Sequence, residues 1–406
     1  MVMLLRTFLH LLIILYFINM TTIIAGMTTA EFLAAINDNF TAEKYKSTVS
    51  IISATSMIGD INTNFETIRD ERTCFIPTIS TLNNGSGLAF VNALNTNFNN
   101  SHVPMRDFSA ITKYAGNPIV AANVFKINDI GDDVYQIYIY PNINAKIGST
   151  YYALASANAG AGYEYKHVVL YTSDDLLTWT LYSSAPRFSS GVNDDHLILV
   201  KGIIKKDNLW YAFYSAANAS NQNNIFLATS PDFITWTKYS ADPVYQRSQD
   251  SGRNVYDPCV IQIGSLYYMY YVSYIASPFA SHIAYATSTD LINWTYGGIA
   301  LTYEAGDWAE LPIDPCVIRN AAGYYEMSYS DSALDTPTQG IGYAISEDGI
   351  IWFPRLTKIL DTTFGEWDGS QVGEPILLEK ENGDAYLYYV GLDPVGSLIQ
   401  AGVAIV

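Results

Sequence analysis

Carboxylates head four short apolar segments, and these are the residues whose type and spacing point to chemistry. Asp257 lies in Tyr256-Asp257-Pro258-Cys259-Val260-Ile261, Asp314 in Ile313-Asp314-Pro315-Cys316-Val317-Ile318, and Glu374 in Gly373-Glu374-Pro375-Ile376-Leu377. A looser copy, Asp194-Asp195-His196-Leu197-Ile198, precedes them. Carboxylates drawn into one acidic pocket push their pKa values apart, so one stays protonated as a general acid while another stays ionised as a base. That chemistry requires an architecture that turns regular spacing along the chain into proximity in space.

The elements behind the carboxylates supply such an architecture. Each segment runs into a Tyr-rich strand, as in Leu266 to Val272 and Ala385 to Tyr389, then a small-residue strand such as Ile283 to Thr287. A Ser-x-Asp turn and a Trp follow. The four turns carry Asp175, Asp232, Asp290 and Asp348, and their Trp179, Trp236, Trp294 and Trp352 are 57, 58 and 58 residues apart. Four strands per repeat of this length read as one propeller blade. The last repeat stops at its third strand, Ala401 to Val406, and the missing piece stands at the front. Asp107 to Ile119 aligns without gaps to Asp232 to Val244. The expected fold is therefore all-β, a five-bladed β-propeller over 104–406 closed by an N-terminal strand, which leaves no exposed edge where first and last blades meet.

Inner strands of a propeller line its axis, so the carboxylates heading them should converge at one end of the channel. Asp195, Asp257, Asp314 and Glu374 come from successive blades, with Asp132 or Asp133 in the equivalent place in the first. Glycoside hydrolysis needs such a pair, one on each side of the scissile bond. The peripheral Asp175, Asp232, Asp290 and Asp348 read as turn formers.

Region 104–406 resembles the five-bladed propeller glycosidases of the arabinanase/levansucrase superfamily, most closely glycoside hydrolase family 43. Tyr256-Asp-Pro-Cys-Val-Ile with its Tyr-rich follower is similar to that family's Asp-Pro-Ser strand, and Gly365-Glu-Trp-Asp-Gly-Ser with Glu374-Pro375 to the stretch bearing its acid glutamate. The resemblance implies an inverting hydrolase of arabinose- or xylose-type poly- or oligosaccharides. It makes Glu374 the acid, Asp314 the residue that tunes it and Asp195 the base. A register shifted by one blade gathers Asp132 or Asp133, Asp257 and Asp314, with no glutamate, as a non-catalytic site. The chain departs from the family pattern where Glu374 abuts Pro375, and where the base strand reads Asp195-His196 in the second blade. His196, Trp308 and Trp367 are expected at the same rim as sugar-contacting residues.

Composition narrows the partners. Lys and Arg number 21 against 39 Asp and Glu in 406 residues, a net charge of −18, which repels nucleic acid and anionic membrane surfaces. Tyr, at 32 copies, suits alternating strands and offers stacking faces. Cys74, Cys259 and Cys316 form no disulfide framework, and no metal or cofactor motif occurs. No cofactor is expected to be required, and the central channel of such a fold can take a structural ion. Oligomeric state is not encoded in any motif.

Residues 1–26 read as a secretion signal: Arg6, an apolar run Phe8 to Ile18 too short for a confident membrane span, then Ala25-Gly26. Residues 27–103 form a small N-terminal extension with three Asn-x-Asn-Phe copies ending at Phe40, Phe65 and Phe98, read as short helices. These resemble elements of bacteriophage virion proteins. The competing expectation is thus a non-catalytic carbohydrate-binding propeller on a virion or cell surface, with Met27 as the true start.

Overall fold

A computed structural model describes residues 73–75, 102–120, 134–159, 165–191, 193–276, 279–302, 311–331, 340–355, 357–380, 383–393 and 399–406. The chain divides into two units, 1–106 and 107–406. In the first, β1 (Thr73–Phe75) pairs antiparallel with β2 (His102–Pro104). The expected signal segment and the three expected helices lie outside the described residues, as do Asp132, Asp133 and Trp308. Among the described residues no helix is long and apolar enough to cross a membrane.

The second unit is the propeller. β3 (Thr112–Lys113) precedes blade one, made of β4 (Val134–Ile147), β5 (Thr150–Ala159), β6 (Tyr165–Ser173) and β7 (Thr180–Ser189). Blade two holds β8 (His196–Lys206), β9 (Leu209–Ala217), β10 (Asn223–Ser230) and β11 (Thr237–Lys238). Blade three holds β12 (Asn254–Ile263), β13 (Leu266–Ala276), β14 (Phe279–Ser288) and β15 (Thr295–Leu301). Blade four holds β16 (Pro312–Arg319), β17 (Tyr325–Asp331) and β18 (Gly340–Ser346), edged by β19 (Phe353–Pro354) and β20 (Leu360–Asp361). Blade five holds β21 (Gln371–Glu379), β22 (Ala385–Leu392), β23 (Ile399–Ile405) and, as its outer strand, β3.

Ring closure follows the sequence alignment residue by residue. Lys113 and Thr112 pair with Ala404 and Ile405, as Lys238 and Thr237 pair with Ala228 and Thr229 in blade two. Further along, Val120 bridges Ala401 as Tyr245 bridges Ile225. Lys113 clasps the closed blade, donating to Asp361 O, Thr363 Oγ1 and Asp368 Oδ2 at 2.6–2.7 Å.

The repeat residues explain why blades stack. Ser173, Ser230, Ser288 and Ser346 cap the Asp turns, and each turn Asp accepts two backbone N–H groups, Asp232 Oδ1 from Ile234 and Thr235 at 2.8 and 2.6 Å. Three of these turns present their Trp to the neighbouring blade. Trp294 meets Phe213, Trp352 meets Tyr270 and Trp179 meets Tyr388, all edge to face with centroids 5.6–6.4 Å apart. Such aromatic pairs contribute about 0.5–1.5 kcal/mol each beyond their burial. Tyr270 also donates to Gly349 O at 2.6 Å, and Tyr388 to Leu176 O, so the same latch joins blades three to four and five to one.

Candidate active site

The inner strands of blades three, four and five each break their ladder at the carboxylate. Pairing jumps from Tyr256↔Val272 to Cys259↔Tyr270, from Ile313↔Ser330 to Cys316↔Ser328, and from Gly373↔Val390 to Ile376↔Tyr388. Asp257, Asp314 and Glu374 thus each sit in a bulge, with φ of 52°, 55° and 54°. The following Pro has no N–H to lose from the ladder, which makes the bulge inexpensive there. Left-handed backbone at these three non-glycine residues costs on the order of 1–3 kcal/mol each.

The bulges aim the three carboxylates at one point. Oxygens from Asp257, Asp314 and Glu374 lie within 4.8 Å of one another, on the wall of a cavity of about 380 Å³. Ser215, Asn223, Asn254, Tyr256, Tyr274 and Gln371 complete its polar lining. Glycine makes room: a Cβ on Gly373 would lie 3.3 Å from Ser330 Oγ, the atom that accepts the Glu374 N–H at 3.0 Å.

Blade two contributes something the sequence reading missed. Lys201, with 3% of its side chain exposed, reaches Glu374 Oε2 at 2.5 Å and Asp314 Oδ1 at 3.4 Å. It too sits in a bulge, between Val200↔Tyr214 and Gly202↔Phe213. Gly202 allows the close approach of β8 to β12, since a Cβ there would meet Pro258 O at 2.9 Å and Val260 Cγ2 at 3.1 Å.

Electrostatics separate the groups. Burial opposes the Lys201 ammonium, but Asp314, Glu374 and Asp257 more than offset it and raise its pKa. Burial and then Asp314 push the Glu374 carboxyl up while Lys201 pulls it down, leaving it at about 7. Asp257 is driven well above the carboxylate range, chiefly by burial and then by Glu374, and its protonated form hydrogen-bonds Asp314. Two buried atoms of residues that line the cavity, Asp257 Oδ1 and Ser215 Oγ, lack a hydrogen-bond partner among the described residues. Among those residues this trio is also the one acidic cluster tight enough to hold a cation. Lys201 supplies compensating positive charge to this cluster.

Of the other sequence candidates, the described Asp195, His196 and Trp367 stand apart from this cluster. Asp195 is half exposed and pairs with His196 at 3.5 Å, while His196 Nε2 stands 2.8 Å from Asn221 Oδ1. The ladder position of Asp257 is taken in blade two by Val200, because Leu199 pairs Ser215 as Tyr256 pairs Val272. Asp194 matches a different feature. It takes the Tyr214 hydroxyl at 2.8 Å and Lys238 at 2.6 Å, as Asp368 takes Tyr389 at 3.0 Å and Lys113 at 2.7 Å. Trp367 stacks on Tyr389 at 5.6 Å and lies over Gly391 and Gly402, so it packs the fifth sheet.

Comparison with known proteins bears on the fold. Residues 150–327 match the N-terminal domain of glycosyl hydrolases family 32. An uncharacterized protein of Mycobacterium tuberculosis is 25% identical over 216 residues, covering 50% of this chain and 69% of that protein. A thermostable family-43 glycoside hydrolase superposes with a TM-score of 0.53 at 22% identity, covering 66% of this chain and 87% of its own. A β-1,2-mannobiose phosphorylase from Listeria innocua superposes with a TM-score of 0.59 at 14% identity, covering 73% and 96%. The chain thus shares the five-bladed propeller fold of these glycosidase-type proteins, and its residues 150–327 are similar to the family-32 N-terminal domain.

Proposed function

We propose that the chain hydrolyses glycosidic bonds of poly- or oligosaccharides at the Asp257–Asp314–Glu374 cluster. The observation that carries this reading is the convergence of three bulge-mounted carboxylates within 4.8 Å on the wall of one cavity. Glu374, poised at about 7, suits a group that must hold a proton in one step and lack it in the next. Asp314, beside Lys201 and accepting from Asp257, is the nucleophile in this reading. Asp257 stays protonated and steadies Asp314.

The spacing favours two displacements over the single inversion expected from the family-43 likeness. Retaining glycosidases hold their carboxyl groups about 5–5.5 Å apart, whereas inverting ones leave roughly 6.5–9.5 Å for a water. First, Glu374 gives its proton to the leaving oxygen while an Asp314 oxygen bonds to the anomeric carbon, forming a glycosyl ester. Then ionised Glu374 takes a proton from water, whose oxygen replaces Asp314 at that carbon. Arabinose- and xylose-type glycosides are the first substrates to try.

The test is hydrolysis of aryl glycosides and of arabinan, xylan and fructan oligosaccharides by the parent and by Glu374→Gln. The reading expects activity that falls by about 10²-fold or more in the variant. A folded parent that binds these sugars and cleaves none overturns it in favour of a binding module.

A further inference from the structure

We propose that Lys201 is a positioning residue for this reaction, its ammonium holding the Glu374 and Asp314 carboxylates together from a blade that brings no carboxylate of its own. The proposal rests on the glycosidase reading of the site but on separate observations. Counting back from the Leu-aromatic-Tyr start of the second strand, Leu199-Val200-Lys201-Gly202 matches Tyr256-Asp257-Pro258-Cys259. Lys201 therefore stands where Asp257, Asp314 and Glu374 are followed by Pro, and Val200, fully buried, stands where the carboxylate would be. One blade has exchanged its acid for an adjacent base. The exchange is aimed, since the ammonium contacts two of the three carboxylates contributed by the other blades.

The physical consequence concerns both charge and orientation. Asp314 and Glu374, both largely buried, repel one another when ionised, and a buried cation at contact distance from both offsets that repulsion. The groups facing Glu374 are Lys201 from β8, Asp257 and Tyr256 from β12, and Asp314 from β16, while Ser330 of β17 takes its backbone N–H. Lys201 is the one cation in that set. It favours the ionised form of Glu374, so its removal moves Glu374 titration upward. Glu374 must be protonated to start the reaction, so the basic limb of kcat/KM moves up with it.

The experiment is ¹³C NMR titration of protein labelled at the Glu side-chain carboxyl, with Glu374 assigned by the Glu374→Gln variant. Parent, Lys201→Met and Lys201→Arg are compared, alongside the pH profile of kcat/KM. In Lys201→Met the Glu374 midpoint and the basic limb should both rise by about one pH unit or more, and Lys201→Arg should restore them. A midpoint in folded Lys201→Met within about 0.3 units of the parent overturns the proposal, since a merely structural lysine would lower stability without moving it. If Lys201→Met does not fold, Lys201→Arg decides. A permanent guanidinium that leaves midpoint and limb in place supports charge balance, and one that shifts them overturns it. A parent without hydrolase activity sinks the glycosidase reading alone, because the titration still tests Lys201.

Discussion

Asp314 and Glu374 occupy the same bulge position in neighbouring blades, with φ of 55° and 54°. The conformation, as much as the carboxylate, is a property of the site. Asn tolerates left-handed backbone, whereas a β-branched side chain does not. Asp314→Asn should therefore keep the fold and lose about 10²-fold or more in kcat. Asp314→Val should lose activity equally and also about 1–3 kcal/mol of stability. Denaturant melts beside initial rates separate the two effects, and equal stability in both variants would remove the backbone argument.

Much of this arrangement was legible because the ladder copies itself. Thr112-Lys113 could be placed beside β23 from sequence alone, since the ungapped match to Thr237-Lys238 carries the pairing partners with it. Asp257, Asp314 and Glu374 were visible as strand heads for the same reason. Blade two misled because Asp194-Asp195 is a carboxylate pair near the right place, and alignment by residue type moved the register by five residues. Counting back from Leu209-Trp210-Tyr211 finds Val200 instead. Lys201 went unnoticed because a lone lysine at a strand head usually marks a solvated edge. Only its coincidence with the Pro of the other repeats signalled otherwise.

The two neighbouring aspartates of blade two should behave oppositely. Asp195 is half exposed, and Asp195→Asn should leave activity within about twofold and stability within roughly 0.5 kcal/mol. Asp194 is 5% exposed and serves Tyr214 and Lys238. Asp194→Asn should cost about 1–3 kcal/mol by weakening a buried charge-assisted pair. A large activity loss confined to Asp195→Asn would return the base to the position first expected from sequence.

Stereochemistry offers an independent check on the carboxylate spacing. ¹H NMR of the anomeric proton at early time should show a product of the same configuration as the substrate. Inverted product would mean that the trio opens on binding to admit a water, or that a different carboxylate activates it.

Stability should depend on pH through Glu374, and the sign is fixed. Its carboxyl rises from an ordinary 4.5 to about 7 on folding, so the folded state binds the proton more tightly than the unfolded chain. The contribution is complete below about 4.5 and is lost as pH rises through about 7. Melting temperatures should thus fall across that window, and less steeply in Glu374→Gln. Parallel curves for the two proteins would assign the slope to other groups.

The ring is closed by a strand made early and a partner made late. Asn117 hydrogen-bonds the backbone of Val403 across 286 residues of sequence. At roughly 5–20 residues per second, a ribosome takes on the order of 15–60 seconds to traverse that interval. Throughout it Thr112-Lys113 has been synthesised and its ladder has not, while the blades between can already pair within themselves. The velcro of blade five therefore closes only after β23 has been made, and until then the nascent chain is an open array with unsatisfied edges at both ends. Anything that holds or shields those edges during translation would govern the yield of active protein, whatever the stability of the finished ring.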